Sequence, residues 1–182
     1  MGPEWGFLQN IESKVNALAK TMMVPNFQSW NKMLHTGFDL KHFNALSVEE
    51  LYLILQLRIE VFVVEQNCVY QDLDNKDKKA DHLFLMNDGK CMATCRLLAP
   101  GISYENYASI GRVAVGLEAR KTGLGRKMMA LAIAETKKLY PNHSIKISAQ
   151  AYLQKFYESF GFVHTGESYL EDDIPHLGMV LI

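Results

Sequence analysis

The segment Gly111-Arg-Val-Ala-Val-Gly-Leu-Glu-Ala-Arg-Lys-Thr-Gly-Leu-Gly-Arg-Lys127 constrains this chain more than any other. A β-type run, Ser109–Val115, leads into it, and a helical pattern over Gly123–Tyr140 leads out of it. That helix carries Leu124, Met128, Leu131 and Ala132 on one face, and Pro141 stops it. The loop between them holds Arg120, Lys121, Thr122, Gly123 and Gly125. Glycine lets backbone approach a ligand closely, and a helix N-terminus presents unpaired amides to an anion. Residues 112–127 contain five basic side chains (Arg112, Arg120, Lys121, Arg126, Lys127) against one acid, Glu118, in a chain whose net charge is −1. A pyrophosphate fits such a site. A Walker loop is excluded, because Gly125 is followed by Arg126 and Lys127 with no hydroxyl next. A dinucleotide fingerprint is excluded as well, since its third glycine falls on Met128.

The remaining elements arrange themselves around this one. Ser47-Val-Glu-Glu50 is a capping box that opens a helix over Leu51–Glu65. Gln71–Asp81 is charged and reads as a loop. Strand-like runs at His82–Met86 and Cys91–Leu98 flank a hairpin turn at Asn87-Asp-Gly-Lys90. Ile145–Gln150 is a strand, Tyr152–Phe160 a short helix closed by Gly161, and Phe162–Thr165 and Ile174–Ile182 are further strands. The order predicts an α/β fold with helices packed on a mixed sheet.

Length and charge bound the function. The chain has 182 residues, 48% of them hydrophobic, with 19 basic and 20 acidic side chains. That suits one domain over residues 27–182 plus an extension over 1–26, helical by the spacing of Leu8, Ile11, Val15, Leu18 and Met22 or else a non-native addition. Near-zero net charge argues against a nucleic-acid or membrane partner. The N-terminus lacks the layout of a secretory signal. Cys68, Cys91 and Cys95 are odd in number and show no metal-ligand pattern, so a cytoplasmic protein without a metal is expected.

The pattern Arg120-x-x-Gly123-x-Gly125 resembles the acetyl-CoA loop of the GCN5-related N-acetyltransferases, the GNAT superfamily. A second stretch, Gln150-Ala-Tyr-Leu-Gln-Lys-Phe-Tyr-Glu-Ser-Phe-Gly-Phe162, is similar to a later motif of that fold, one helix and one strand further on. Gln150 and Leu153 stand where asparagine and alanine are usual. Leu57–Cys68, Tyr70–Asp74 and Glu171–Met179 resemble the ElaA-like branch, which often has glycine where Asp173 stands; the similarity runs from about Trp30 to Ile182. The resemblance implies a mostly antiparallel central sheet flanked by helices. It also implies acetyl-CoA as acyl donor and an amine acceptor, either a small molecule or a peptide. A homodimer is compatible with it.

By the same resemblance Tyr157 lies near the CoA sulfur and protonates the departing thiolate. Val113, Ala114 and Val115 supply backbone to the pantetheine, with one amide for the thioester oxygen. Arg120, Lys121, Thr122, Gly123, Leu124, Gly125 and Arg126 form the pyrophosphate loop. On the acceptor side the candidates are Arg58, Glu65, Gln66, His82 and His176. Arg58, in an apolar helix, pairs with Glu65, Asp74 or Asp81 or contacts substrate, and the histidines are candidate bases. Segments 65–81 (five acids, three bases) and 167–173 (four acids) are net acidic, which points to a cationic acceptor. Two other functions are compatible with the sequence. One is an acyl-CoA sensor without turnover. The other is an acyl-homoserine-lactone synthase, whose N-terminal pattern Arg58-x-x-Val-Phe62 with Asp74 and Asp77 resembles.

Overall fold

A computed structural model describes residues 37–182, so the extension expected over residues 1–26 lies outside the described residues. In chain order the elements are β1 (Phe38–His42), α1 (Val48–Ile59), β2 (Ala80–Asn87), β3 (Lys90–Leu98), β4 (Ala108–Val115), α2 (Leu124–Leu139), β5 (Ile145–Gln150), α3 (Gln154–Glu158), β6 (Val163–Glu171) and β7 (Ile174–Leu181). The strands form one seven-stranded sheet in the order β1-β2-β3-β4-β5-β7-β6. Every pairing is antiparallel except β4 with β5. This is the mixed α/β sheet the element order predicts, mostly antiparallel as the family resemblance implies.

Local chemistry explains the element ends. The Ser47 hydroxyl accepts from the Glu50 amide at 3.1 Å, and the Glu50 carboxylate accepts from the Ser47 amide at 2.9 Å. Both halves of the capping box are therefore made, and α1 begins at once. Its α-helical hydrogen bonding stops at Ile59, and Glu60–Glu65 continues as a wider π-helical turn. The β-branched run in Val61-Phe-Val-Val64 crowds an α-helix, and the widened turn redirects the chain at Asn67, whose φ is +50°. The β2–β3 hairpin turns on Asp88 (φ +49°) and Gly89 (φ +71°), with Asn87 and Lys90 as the closing pair. Both central residues are left-handed, the requirement of a type I′ turn.

Helix α1, β2, β3 and β4 meet in a core of Ile54, Leu57, Val61, Phe84, Cys91 and Ala114. Helix α2 buries Met128, Met129, Leu131 and Ala132. β3 is buried along nearly its whole length, as a central strand covered on both faces should be.

Two features set up the site. The first is the joint between β4 and β5, which pair only at Ala108↔Ile145 and Ser109↔Lys146. Beyond those two pairs the strands part. The second is an irregularity in the β3–β4 pairing between Thr94 and Arg96, opposite Arg112, whose φ is +52°. An extra residue there bends β4 away from its straight course, as bulges do. The open gap follows from this bend.

Candidate active site

The gap between β4 and β5 opens into a cleft of about 370 Å³. β4 contributes Ser109 to Val113, and the β5 side contributes Ser148, Gln150, Leu153 and Tyr157. Gly116 donates its amide to the Met92 carbonyl at 2.9 Å, back toward β3. Strand alternation then turns the Val115 amide and carbonyl to the open side, where Arg120 Nε donates to the Val115 carbonyl at 3.0 Å. An amide facing the gap is what a ligand carbonyl needs.

The glycine loop stands at one end of this gap. Gly123 precedes α2 with φ +86°, a left-handed conformation that costs a side-chain-bearing residue about 1 kcal/mol or more. Thr122 donates its hydroxyl to the Ala119 carbonyl at 2.7 Å and accepts from the Leu124 amide at 3.4 Å. Thr122 therefore shapes the loop. The next amides, of Gly125 and Arg126, lie in the first turn, where an α-helix offers no internal acceptor. Lys121 and Arg126 are exposed and Lys127 half-buried beside them. The Arg126 guanidinium lies 5.0 Å from the Phe160 ring centroid and 5.8 Å from that of Phe156, tying α2 to α3.

Tyr157 projects from α3 into the cleft and is only 6% exposed. Its ring packs edge-on against Phe156 and Phe162. Burial, with Cys95 and Tyr152 nearby, pushes its phenol well above the ordinary value. The group stays protonated throughout the neutral range and so keeps a proton to donate.

Of the five acceptor-side candidates, two line the cleft and three do not. Gln66 lines the cleft and exchanges hydrogen bonds with Gln150 at 3.2 and 3.4 Å. His176 lines it too. Its Nδ1 lies 2.8 Å from the Ile174 carbonyl, an acceptor, so Nδ1 is the donor there, and Nε2 lies 4.0 Å from Glu171 Oε2. Arg58 is 1% exposed and turned inward, its partners being Asp72 (2.9 Å) and Asp77 (2.6 Å) in place of Glu65, Asp74, Asp81 or a substrate. His82 is likewise 1% exposed, with Nε2 3.2 Å from the Asp77 carbonyl. Desolvation lowers its pKa, so His82 is a neutral core residue. Glu65 belongs to the donor loop, where it accepts both Arg120 Nη atoms at 2.6 Å.

These pairings revise the charge reading. Arg96 binds Asp74 through two bonds of 2.7 and 2.8 Å and approaches Asp77 at 3.2 Å. Arg112 binds Asp72 at 2.7 Å, stacks on Tyr70 and lies 3.6 Å from Asp74. Three arginines thus neutralise three aspartates, and residues 72–77, within the stretch Gln71–Asp81 read as a loop, pack as a buried ion network. It is not an acidic wall. Arg112 and Arg120, counted toward a phosphate site, are likewise engaged by protein carboxylates. Lys121, Arg126 and Lys127 remain to face an anion.

Comparison with known proteins agrees with this geometry. The model of the acetyltransferase (GNAT) domain matches residues 45–182. The chain belongs to the GNAT family. Within it the chain is ElaA-like: Protein ElaA of Escherichia coli is 42% identical over 143 residues, covering 78% of this chain and 92% of ElaA. The ElaA crystal structure superposes with a TM-score of 0.73, at 39% identity over 79% of this chain and 97% of that one. An acyl-CoA N-acyltransferase from Pseudomonas aeruginosa gives a TM-score of 0.75, at 45% identity over 79% of this chain and 97% of that one. An acyl-homoserine lactone synthase, at 16% identity and a TM-score of 0.61, shares the fold alone. The GNAT chain is an acyltransferase that uses an acyl-CoA donor. No helix of its described residues is long and apolar enough to cross a membrane.

Proposed function

We propose that this GNAT enzyme transfers an acetyl group from acetyl-CoA to the primary amine of a small molecule by direct attack. The observation that carries the reading is the parting of β4 and β5 after two residue pairs, with Tyr157 in the gap and the Gly123 loop at its end. The gap offers a pantetheine chain unpaired strand edges on both sides. The first-turn amides of Gly125 and Arg126, with Lys121 and Lys127, offer an anion site to the pyrophosphate. Val113, Ala114 and Val115 run along the donor, and the Val115 amide is placed for the thioester oxygen.

In the reaction the amine nitrogen attacks the thioester carbon, and its proton passes to His176 Nε2. The C–S bond then breaks, and the thiolate receives the Tyr157 hydroxyl proton or its hydrogen bond. A thiol of pKa about 8.5 is a good leaving group, whereas the buried phenol is a weak acid. Tyr157 therefore acts mainly as a donor that stabilises the thiolate.

Calorimetry with acetyl-CoA and a thiol-release assay over an amine panel test this reading. Gly123→Val should weaken acetyl-CoA at least tenfold, about 1.4 kcal/mol. Because Gly123 is left-handed, that variant also needs a melting curve to separate strain from lost binding. Binding without thiol release for any amine would make the protein a sensor.

A further inference from the structure

Among the described residues Lys76, on the cleft wall, has no carboxylate partner. Lys76 lines the cleft beside Ser103, and its Nζ donates to Ser103 Oγ at 3.2 Å. Among the described residues no carboxylate lies within ion-pair distance of it, because the three nearby aspartates are already held by Arg58, Arg96 and Arg112. The buried Nε of Arg96, another lining residue, also lacks an acceptor. This wall is therefore net positive by one lysine. The β6–β7 side is opposite in sign. Glu171 and Asp172 line the cleft there, and Glu171 accepts from the Ser148 hydroxyl at 3.1 Å and lies 4.0 Å from His176 Nε2. Among the described residues on that side, Lys146 is engaged by Glu167 at 2.8 Å.

Among the described residues, one wall of the cleft carries an ammonium that has no carboxylate partner, and the other carries carboxylates that have no lysine or arginine partner. Such a cleft is complementary to a zwitterion. Resting on the acetyl-transfer reading, we propose that the acceptor is an amine that also carries a carboxylate, such as an amino acid or a short peptide. Its carboxylate pairs with Lys76 Nζ and Ser103 Oγ. Its ammonium is drawn to Glu171 and Asp172 and gives up one proton to solvent; the neutral amine then attacks, and His176 Nε2 takes its second proton. A polyamine or amino sugar satisfies only the acidic wall and places a second cation, or a neutral group, against Lys76. Electrostatic complementarity of this kind acts through specificity, because like charges brought together are costly.

Thiol release tests this with matched series: amino acids of increasing chain length and a dipeptide, their amides, the decarboxylated amines, and a polyamine. Rates are compared at equal concentrations of neutral amine. The carboxylate-bearing members should exceed their amides at least tenfold in kcat/KM. Lys76→Met should collapse that ratio to about unity, and Lys76→Arg should retain most of it. A wild-type enzyme that prefers the polyamine or the amides overturns the proposal. So does a Lys76→Met variant, folded by its melting curve, that loses acids and amides in equal measure. Absence of thiol release with every amine refutes the transfer reading itself, and this inference with it; preference for the wrong amines refutes the inference alone.

Discussion

Replacing Asp72 with asparagine removes one charge from the buried network and keeps the shape of the side chain. In the native protein Asp72 Oδ2 accepts from Arg58 Nε at 2.9 Å. Its Oδ1 accepts from Arg112 Nε at 2.7 Å and from the Tyr70 hydroxyl at 2.7 Å. An asparagine has one oxygen for these three donors, and either amide orientation sets an NH2 group against a guanidinium N–H. Arg58, 1% exposed, would be left with Asp77 as its remaining carboxylate partner. Breaking a buried pair by removing one partner costs about 3–5 kcal/mol, because the surviving charge stays buried. The lower end applies here, since Asp77 still binds Arg58 and Arg112 is partly open to water. For a domain of this size that lowers Tm by roughly 10 °C. Scanning calorimetry and urea unfolding on wild type and Asp72→Asn measure it, with Lys90→Met as control. The Lys90–Glu118 pair is largely exposed, and its loss should move Tm by no more than about a degree or two. A loss below about 1 kcal/mol for Asp72→Asn would show that the network is hydrated and the argument for a neutralised wall wrong.

The other expectations concern catalysis, a turn and pH. Tyr157→Phe keeps the ring packing and deletes the donor, so kcat should fall on the order of tenfold with acetyl-CoA affinity unchanged; equal turnover would make Tyr157 a packing residue only. Because burial raises its pKa, Tyr157 should cause no descending limb in the pH profile up to about pH 10, where an ordinary phenol is half ionised. Asp172 (φ +50°) and Asp173 (φ +62°) form the β6–β7 turn in the left-handed region. Asp173→Gly should therefore stabilise the protein by about 0.5–1 kcal/mol in urea unfolding, and a destabilised variant would mean that the aspartate makes a compensating bond. For His82 the folded pKa lies below the unfolded value of about 6.5, so protons bind the unfolded chain first. Stability is complete above that pH and falls as the solution is acidified through the folded value. His82→Gln should flatten this dependence between about pH 7 and 5, and an unchanged slope would place the titration elsewhere.

Legibility in the sequence followed the range of the interaction. The capping box at Ser47, the hairpin at Asp88-Gly89, strand β5 and helix α2 are set by residues a few positions apart, and the structure keeps them. The glycine loop and the Tyr157 stretch were readable for the same reason. β1 was missed because Phe38-Asp-Leu-Lys-His42 is short and takes its place from its pairing with β2. β6 was cut short because an almost wholly exposed edge strand has no apolar alternation to read. The ion network was illegible for a different reason. Arg58, Asp72, Arg96 and Arg112 lie on α1, the loop before β2, β3 and β4, and nothing in their spacing announces that they meet. Counting charge along segments treated Asp72, Asp74 and Asp77 as free, when each already has an arginine. The same blindness hid the partners of Arg58, Asp72 and Asp77, and the burial of His82.

The two-pair joint between β4 and β5 divides the sheet into leaves that share little hydrogen bonding of their own. β5, β7 and β6 form one leaf, held to the other largely by packing and by the helical crossover between β4 and β5. Amide exchange through opening of this joint requires few bonds to break, so it sits at the low-energy end of the protein's breathing modes. A donor molecule laid between the leaves supplies the missing rungs of the ladder. On the proposed binding mode each turnover removes a piece of the sheet when the spent carrier departs, which makes the empty protein the looser species.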